Sequence, residues 1–194
     1  MMKRTLLAGL LGGIAMFAWG SVSHMLLPIS EIGIKEIPNE AAMLEAMEKN
    51  LAEPGLYLFP GMGLPPNATP EQQKAAWNKA MEKHKTGPAG VLVYRPIGGE
   101  ALSPTQLLTE FASNVMIGLL AALLLLLHAV NSLPSFWHRL LYAALLGLLP
   151  GLAISVSYWN WYGFPLDYTL VTIFNECAGF IAMGAPQAWL IKPE

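Results

Sequence analysis

Between Thr5 and Leu27 the chain runs for 23 residues without an Asp, Glu, Lys or Arg. A helix needs about 20 apolar residues to cross the hydrocarbon core of a bilayer. In that solvent every backbone N–H and C=O must find an internal partner, so only helices and closed barrels can cross. Three later segments, 105–130, 138–157 and 167–190, have the same character. The expected fold class is therefore a membrane all-α protein: a four-helix transmembrane bundle carrying a small extracytoplasmic α/β insertion of two helices and two short strands. With 54% hydrophobic and only 12% charged residues, the composition departs from that of soluble domains, where charged residues are about a quarter. A net charge of −2 with no basic cluster excludes a nucleic-acid partner. The single cysteine, Cys177, excludes a disulfide framework and a thiolate metal centre.

The first transmembrane segment spans residues 1–27. A cleaved leader competes with it, since Lys3-Arg4 is a basic start and Ala18-Trp19-Gly20 resembles a small-residue cleavage site. The apolar run continues past that site to Leu27, which favours a helix that stays in place. Residues 28–104 form the one sizeable polar region. Pro38-Asn39 introduces a helix over 40–53, and Pro54-Gly55 leads into a strand, Leu56-Tyr57-Leu58-Phe59. Pro70 starts a second helix over 71–85, and Val91-Leu92-Val93-Tyr94 is the second strand.

Ala46-Met47-Glu48-Lys49 is followed by Pro54, and Ala80-Met81-Glu82-Lys83 by Pro88, with equal spacing. Two helix–strand units related by this echo would pair their strands antiparallel. A two-stranded ribbon is marginal alone and needs helices, a membrane surface or a partner against it. Asn67-Ala68-Thr69 matches a glycosylation sequon, a motif short enough to recur by chance. Ser103-Pro104-Thr105-Gln106 is a capping-box pattern that opens the second transmembrane helix. Asn131-Ser132-Leu133-Pro134 reads as a tight turn. Pro150 should kink the third helix, and Tyr158 to Pro165 reads as an aromatic loop before the fourth.

Four crossings place both termini on one side, together with Lys3, Arg4, Arg139 and Lys192, whereas the 158–167 loop has no Lys or Arg. The positive-inside rule puts that side in the cytoplasm and residues 28–104 outside, as in a bacterial inner membrane. Trp137 and Trp189 at one boundary, and Trp159 and Trp161 at the other, form the aromatic belts expected of the same arrangement.

The fourth segment carries Asn175 and Glu176 near its middle, about 13 Å below the boundary at Asp167. An ionisable group at that depth faces protein or water and has a partner. His24 at the end of the first helix, and Glu110 and Asn114 four residues apart at the start of the second, complete a candidate polar pocket for a proton, a cation or a small polar ligand. A structural role is the alternative, with Glu176 protonated and bonded across the bundle.

Gly9 and Gly13 form a GxxxG pair, Gly147 and Gly151 are spaced alike, and Gly179 lies on the Glu176 face; these are the expected helix-packing positions. His128 and His138 lie near one interface and are better read as interfacial histidines than as haem ligands. No metal-ligand spacing, phosphate loop or nucleophile motif is present, so no catalytic residue, metal or cofactor is expected. The partners expected are the lipid bilayer and a second copy or a larger membrane complex. The function expected is a non-catalytic subunit or partner-docking protein acting through the inserted domain, with a small transporter or proton-coupled enzyme built on Glu176 as the alternative.

Overall fold

The computed structural model describes residues 1–129, 133 and 135–192, without the side chains of residues 128 and 129. In chain order it contains α1 (Met2–Met25), a 3-10 turn (Pro28–Glu31), α2 (Glu40–Asn50), β1 (Gly55–Phe59), α3 (Pro70–Thr86), β2 (Gly90–Tyr94) and α4 (Pro104–Leu124). There follow α5 (Phe136–Pro150), α6 (Ser157–Tyr162) and α7 (Leu166–Leu190). A wide π turn extends α4 through Leu125–Ala129, and another, Gly151–Val156, joins α5 to α6. Four helices, Met2–Met25, Pro104–Leu127, Phe136–Tyr162 and Leu166–Leu190, are long and apolar enough to span a membrane, consistent with a multi-pass membrane protein. The tight turn expected at 131–134 falls largely outside the described residues.

The chain divides into two units. The first, Met1–Ile34 with Glu100–Glu194, holds the four apolar helices. Here α1 packs against both α4 and α7, and α7 also packs against α5. Small residues allow these approaches, because lipid supplies no hydrophobic drive and close van der Waals packing has to serve instead. A Cβ on Gly9 would meet Leu119 Cα at 2.8 Å, and one on Gly13 would meet Asn114 O at 2.7 Å and Val115 N at 2.8 Å. From the other side, a Cβ on Gly118 would meet Gly13 N at 2.6 Å. Helices α1 and α4 therefore cross backbone on backbone. Gly147 lies against Phe180, Gly151 against Ile173 and Gly184 against Ala143, which joins the third span to α7 in the same way.

Proline and glycine set the helix ends. Pro150 has no N–H to give, and the wide turn after it accommodates the missing bond at the position where a kink is expected. The aromatic loop expected from Tyr158 is corrected: Ser157–Tyr162 is helical. The turn is confined to Gly163–Pro165, where Gly163 adopts φ 73°, a left-handed conformation that closes a helix at little cost for glycine alone. Aromatic residues are tolerated in a helix, so nothing breaks this one before Gly163. Ser103 accepts from Gln106 N while Gln106 Oε1 accepts from Ser103 N, the capping box the sequence predicts.

The second unit, Lys35–Gly99, contains α2, α3 and the ribbon. The strands are antiparallel, as the helix–strand echo predicts, with Leu56 opposite Val93, Tyr57 opposite Leu92 and Leu58 opposite Val91. Thr69 and Gln72 form a second capping box at the head of α3. The Glu71 carboxylate accepts from its own backbone N–H and from the Thr69 hydroxyl, which holds its pKa below the usual carboxylate range. That contribution to the helix start is present above the ordinary glutamate pKa and is lost as pH falls through the lower value. Helix α2 ends at Asn50 rather than at 53: Leu51 is already extended, and Glu53, directly before Pro54, is disfavoured in the helical region. Only Ala80 and Tyr94 of this unit are buried.

Gly13→Ala should destabilise the bundle by about 1–3 kcal/mol, since a methyl there meets backbone that cannot yield. Gly20 has nothing within 4 Å of such a methyl, so Gly20→Ala should be neutral or stabilising by up to about 1 kcal/mol. Thermal unfolding of both variants in detergent measures the difference.

Candidate functional site

Helix α1 lies between the two helices that carry the intramembrane polar residues. On its α4 side, Phe17 meets Phe111 edge to face, ring centroids 5.4 Å apart. One turn further along α4, Asn114 is buried and its Nδ2 donates to Glu110 Oε1 at 3.0 Å. On its α7 side, Trp19 Nε1 donates to Asn175 Oδ1 at 2.9 Å, and the Trp19 ring lies against Gly179 with Met16 beside it. Asn175 is thus tied to α1 by an interhelical hydrogen bond, the usual use of an amide within a membrane.

Glu176 is half-buried a little less than halfway along α7 and has no side-chain hydrogen-bond partner among the described residues. Of the predicted pocket residues, Glu110 and Asn114 are bonded to each other along α4, while Asn175 points at Trp19. His24 is exposed, and its Nδ1 faces Ser23 Oγ and Gly20 O, each at 3.0 Å on its own helix. It makes no hydrogen bond to the pocket.

Two polar contacts lie beyond the sequence reading. Gln187, 2% exposed, donates from Nε2 to Gly118 O at 2.9 Å, and its amide sits where a Cβ on Gly12 would be. This amide links α7 to α4 across the glycine face of α1. Arg139 is buried, donating from Nε to Ala188 O at 3.0 Å and from Nη1 to Leu133 O at 2.8 Å. Ala188 is in the last turn of α7, whose carbonyls have no partner within the helix, and a cation there also meets the negative end of the helix dipole. A polar residue at glycine-like spacing in an apolar segment was the available signal for Gln187. Nothing in the sequence marks Arg139 as buried.

His138 Nδ1 lies 2.6 Å from Ser135 Oγ, and the His128 side chain falls outside the described residues. Among the described residues no group of three His, Cys, Asp or Glu is placed to hold a metal.

The Lys35–Gly99 unit has its own concavity. A groove of about 550 Å³ runs between the loop before α3 and α3 itself, lined by Met62, Leu64, Pro65, Pro70 and Trp77, with Gln73 and Lys74 among its polar groups. The Trp77 side chain is 55% exposed. Two prolines and a capped helix start fix the walls, so the groove needs little ordering to form.

Trp19→Phe keeps an aromatic ring, though a smaller one, and removes the donor to Asn175. It should cost about 0.6 and at most about 1.7 kcal/mol, the range of intramembrane hydrogen bonds, read by unfolding in mixed micelles. No family model, no curated protein and no solved structure matches this chain.

Proposed function

We propose that the protein is a non-catalytic subunit of a larger membrane assembly, a multi-pass anchor whose Lys35–Gly99 unit docks a protein partner. The groove around Trp77 carries this reading. Tryptophan is among the residues most enriched at the centres of interfaces, and here its ring is more than half in water beside Met62, itself exposed. The unit also buries too little to be self-sufficient, since domains of this size are marginal even when well packed. The unit lies outside the cytoplasm in this reading, with Lys3, Arg4, Arg139 and Lys192 on the cytoplasmic side of a bacterial inner membrane.

A photocrosslinking amino acid at Met62 should give one discrete protein adduct in native membranes. Trp77→Ala should reduce that adduct roughly tenfold or more, as removal of a central anchor does, with no change in helix content. Adducts no different from those at Glu48, on a helix remote from the groove in sequence, would sink the proposal.

Glu176, half-buried within a helix of membrane-spanning length and without a side-chain hydrogen-bond partner among the described residues, favours a second reading, in which it holds a proton or cation moved across the membrane. In proteoliposomes, Glu176→Gln should then abolish transport while thermal stability holds. Loss of stability with transport intact assigns Glu176 to packing.

A further inference from the structure

The antiparallel register puts Leu56, Leu58, Val91 and Val93 on one face of the ribbon, with Tyr57, Leu92 and Tyr94 on the other. The second face is the better covered: Tyr94 is buried, Tyr57 and Leu92 are partly so, and Phe59 at its end is 42% exposed. The first is largely open: Leu56 is 71%, Leu58 65% and Val93 75% exposed, Val91 is partly covered, and Ile97, three residues past the strand, is 86% exposed. Neither strand contains a charged residue. The ribbon's charged neighbours, Glu53 and Arg95, flank only the end where Gly55 pairs with Tyr94.

We infer that this aliphatic face rests in the interfacial layer of a lipid bilayer. Three observations choose lipid over protein. The chain has only residues 95–103 between β2 and the head of the membrane-spanning α4, so β2 cannot stray more than about 35 Å from it even when fully extended. Exposed apolar side chains recur along that tether, Ile97 and then Leu102, which is 64% exposed one residue before the helix cap, with Gly98-Gly99-Glu100 between them. The four exposed side chains present on the order of 450 Å², short of the roughly 800 Å² per partner that a stable dimer buries. A face too small to hold a free partner suffices for a surface that the tether keeps at high effective concentration. Arg95, at the charged end, has the long aliphatic stem and charged head suited to phosphate headgroups. This inference goes beyond the groove reading and does not depend on it.

Spin labels on the full chain test it, in nanodiscs of mixed phosphatidylcholine and phosphatidylglycerol and a Cys177→Ser background. Labels at Leu56→Cys and Val93→Cys should favour collision with oxygen over a water-soluble nickel chelate severalfold more than a label at Lys79→Cys on the exposed part of α3. Because all three positions are exposed, the labels leave the fold intact. Introducing Leu56→Asp with Val93→Asp should return a label at Leu58→Cys to the Lys79 ratio. Labels at 56 and 93 as water-accessible as that at 79 overturn the inference. So does exclusion of both reagents, whether with dipolar broadening that unlabelled chain dilutes, which means a second copy, or without it, which means cover by protein.

Discussion

The glycine crossing of α1 on α4 is the contact on which the membrane unit depends. Gly9 and Gly13 on one helix and Gly118 on the other bring two backbones so close that no methyl fits between them. In water such a contact would bury little and stabilise little. In lipid the balance changes, because apolar side chains gain nothing by leaving lipid for protein, and close backbone packing becomes the main source of attraction. The close approach also exposes the Gly118 carbonyl to a second acceptor role. Gln187 takes it, reaching past Gly12 from α7, so one residue-sized gap on α1 admits the amide that ties three helices together.

From that junction the placement of the remaining polar groups follows. Since α1 occupies the middle, its polar and aromatic residues bond outward to both neighbours: Trp19 to Asn175 on α7, Phe17 against Phe111 on α4. Asn114 is buried where α4 lies against Gly13, and it turns its amide along its own helix to Glu110. Glu176 is left with no such partner among the described residues. Asn114, Asn175, Gln187 and Arg139 are engaged with a carboxylate, an indole and backbone carbonyls. A carboxylate outside that pattern is the feature that packing does not explain, which is why it supports a second functional reading.

Much of this was legible in the sequence, and the parts that were not share a cause. Four apolar runs, the Gly9/Gly13 pair and the capping box at Ser103 are local patterns, and local patterns specify local structure; the antiparallel ribbon was legible only through the repeated helix–strand echo. Gly118 was not legible because a lone glycine in a Leu-rich helix has no spacing to announce it; its meaning comes from Gly9 and Gly13, more than a hundred residues away. Trp19 and Asn175 pair across 156 positions for the same reason. Arg139 reads as an interfacial charge in sequence because charge counting ignores what a side chain can reach. Its guanidinium is long enough to turn inward and meet the open carbonyls at the end of α7. The helical run through Tyr158 to Tyr162 was missed because aromatic clusters at an interface look alike in loop and helix until a true terminator, here Gly163, is weighed.

The two units solve opposite problems. The membrane helices sit in a solvent that accepts apolar side chains freely, so their exposed leucines need no cover and their few polar groups need partners. The Lys35–Gly99 unit has the reverse condition: its backbone is satisfied by helices, caps and a ladder, but its apolar side chains are not, with a bare aliphatic face on the ribbon and a half-exposed tryptophan in the groove. Such a composition would be an aggregation hazard in a freely diffusing protein, since an open ribbon edge beside an apolar face is a template for further pairing. Linked at both ends to helices long enough to span a membrane, the same surface would, on the inference above, be held near a bilayer, and the hazard would become a means of fixing the unit. A ribbon face engaged with lipid and a groove walled by proline and tryptophan would divide the work, one restraining the unit and the other leaving a preformed surface for a partner to find.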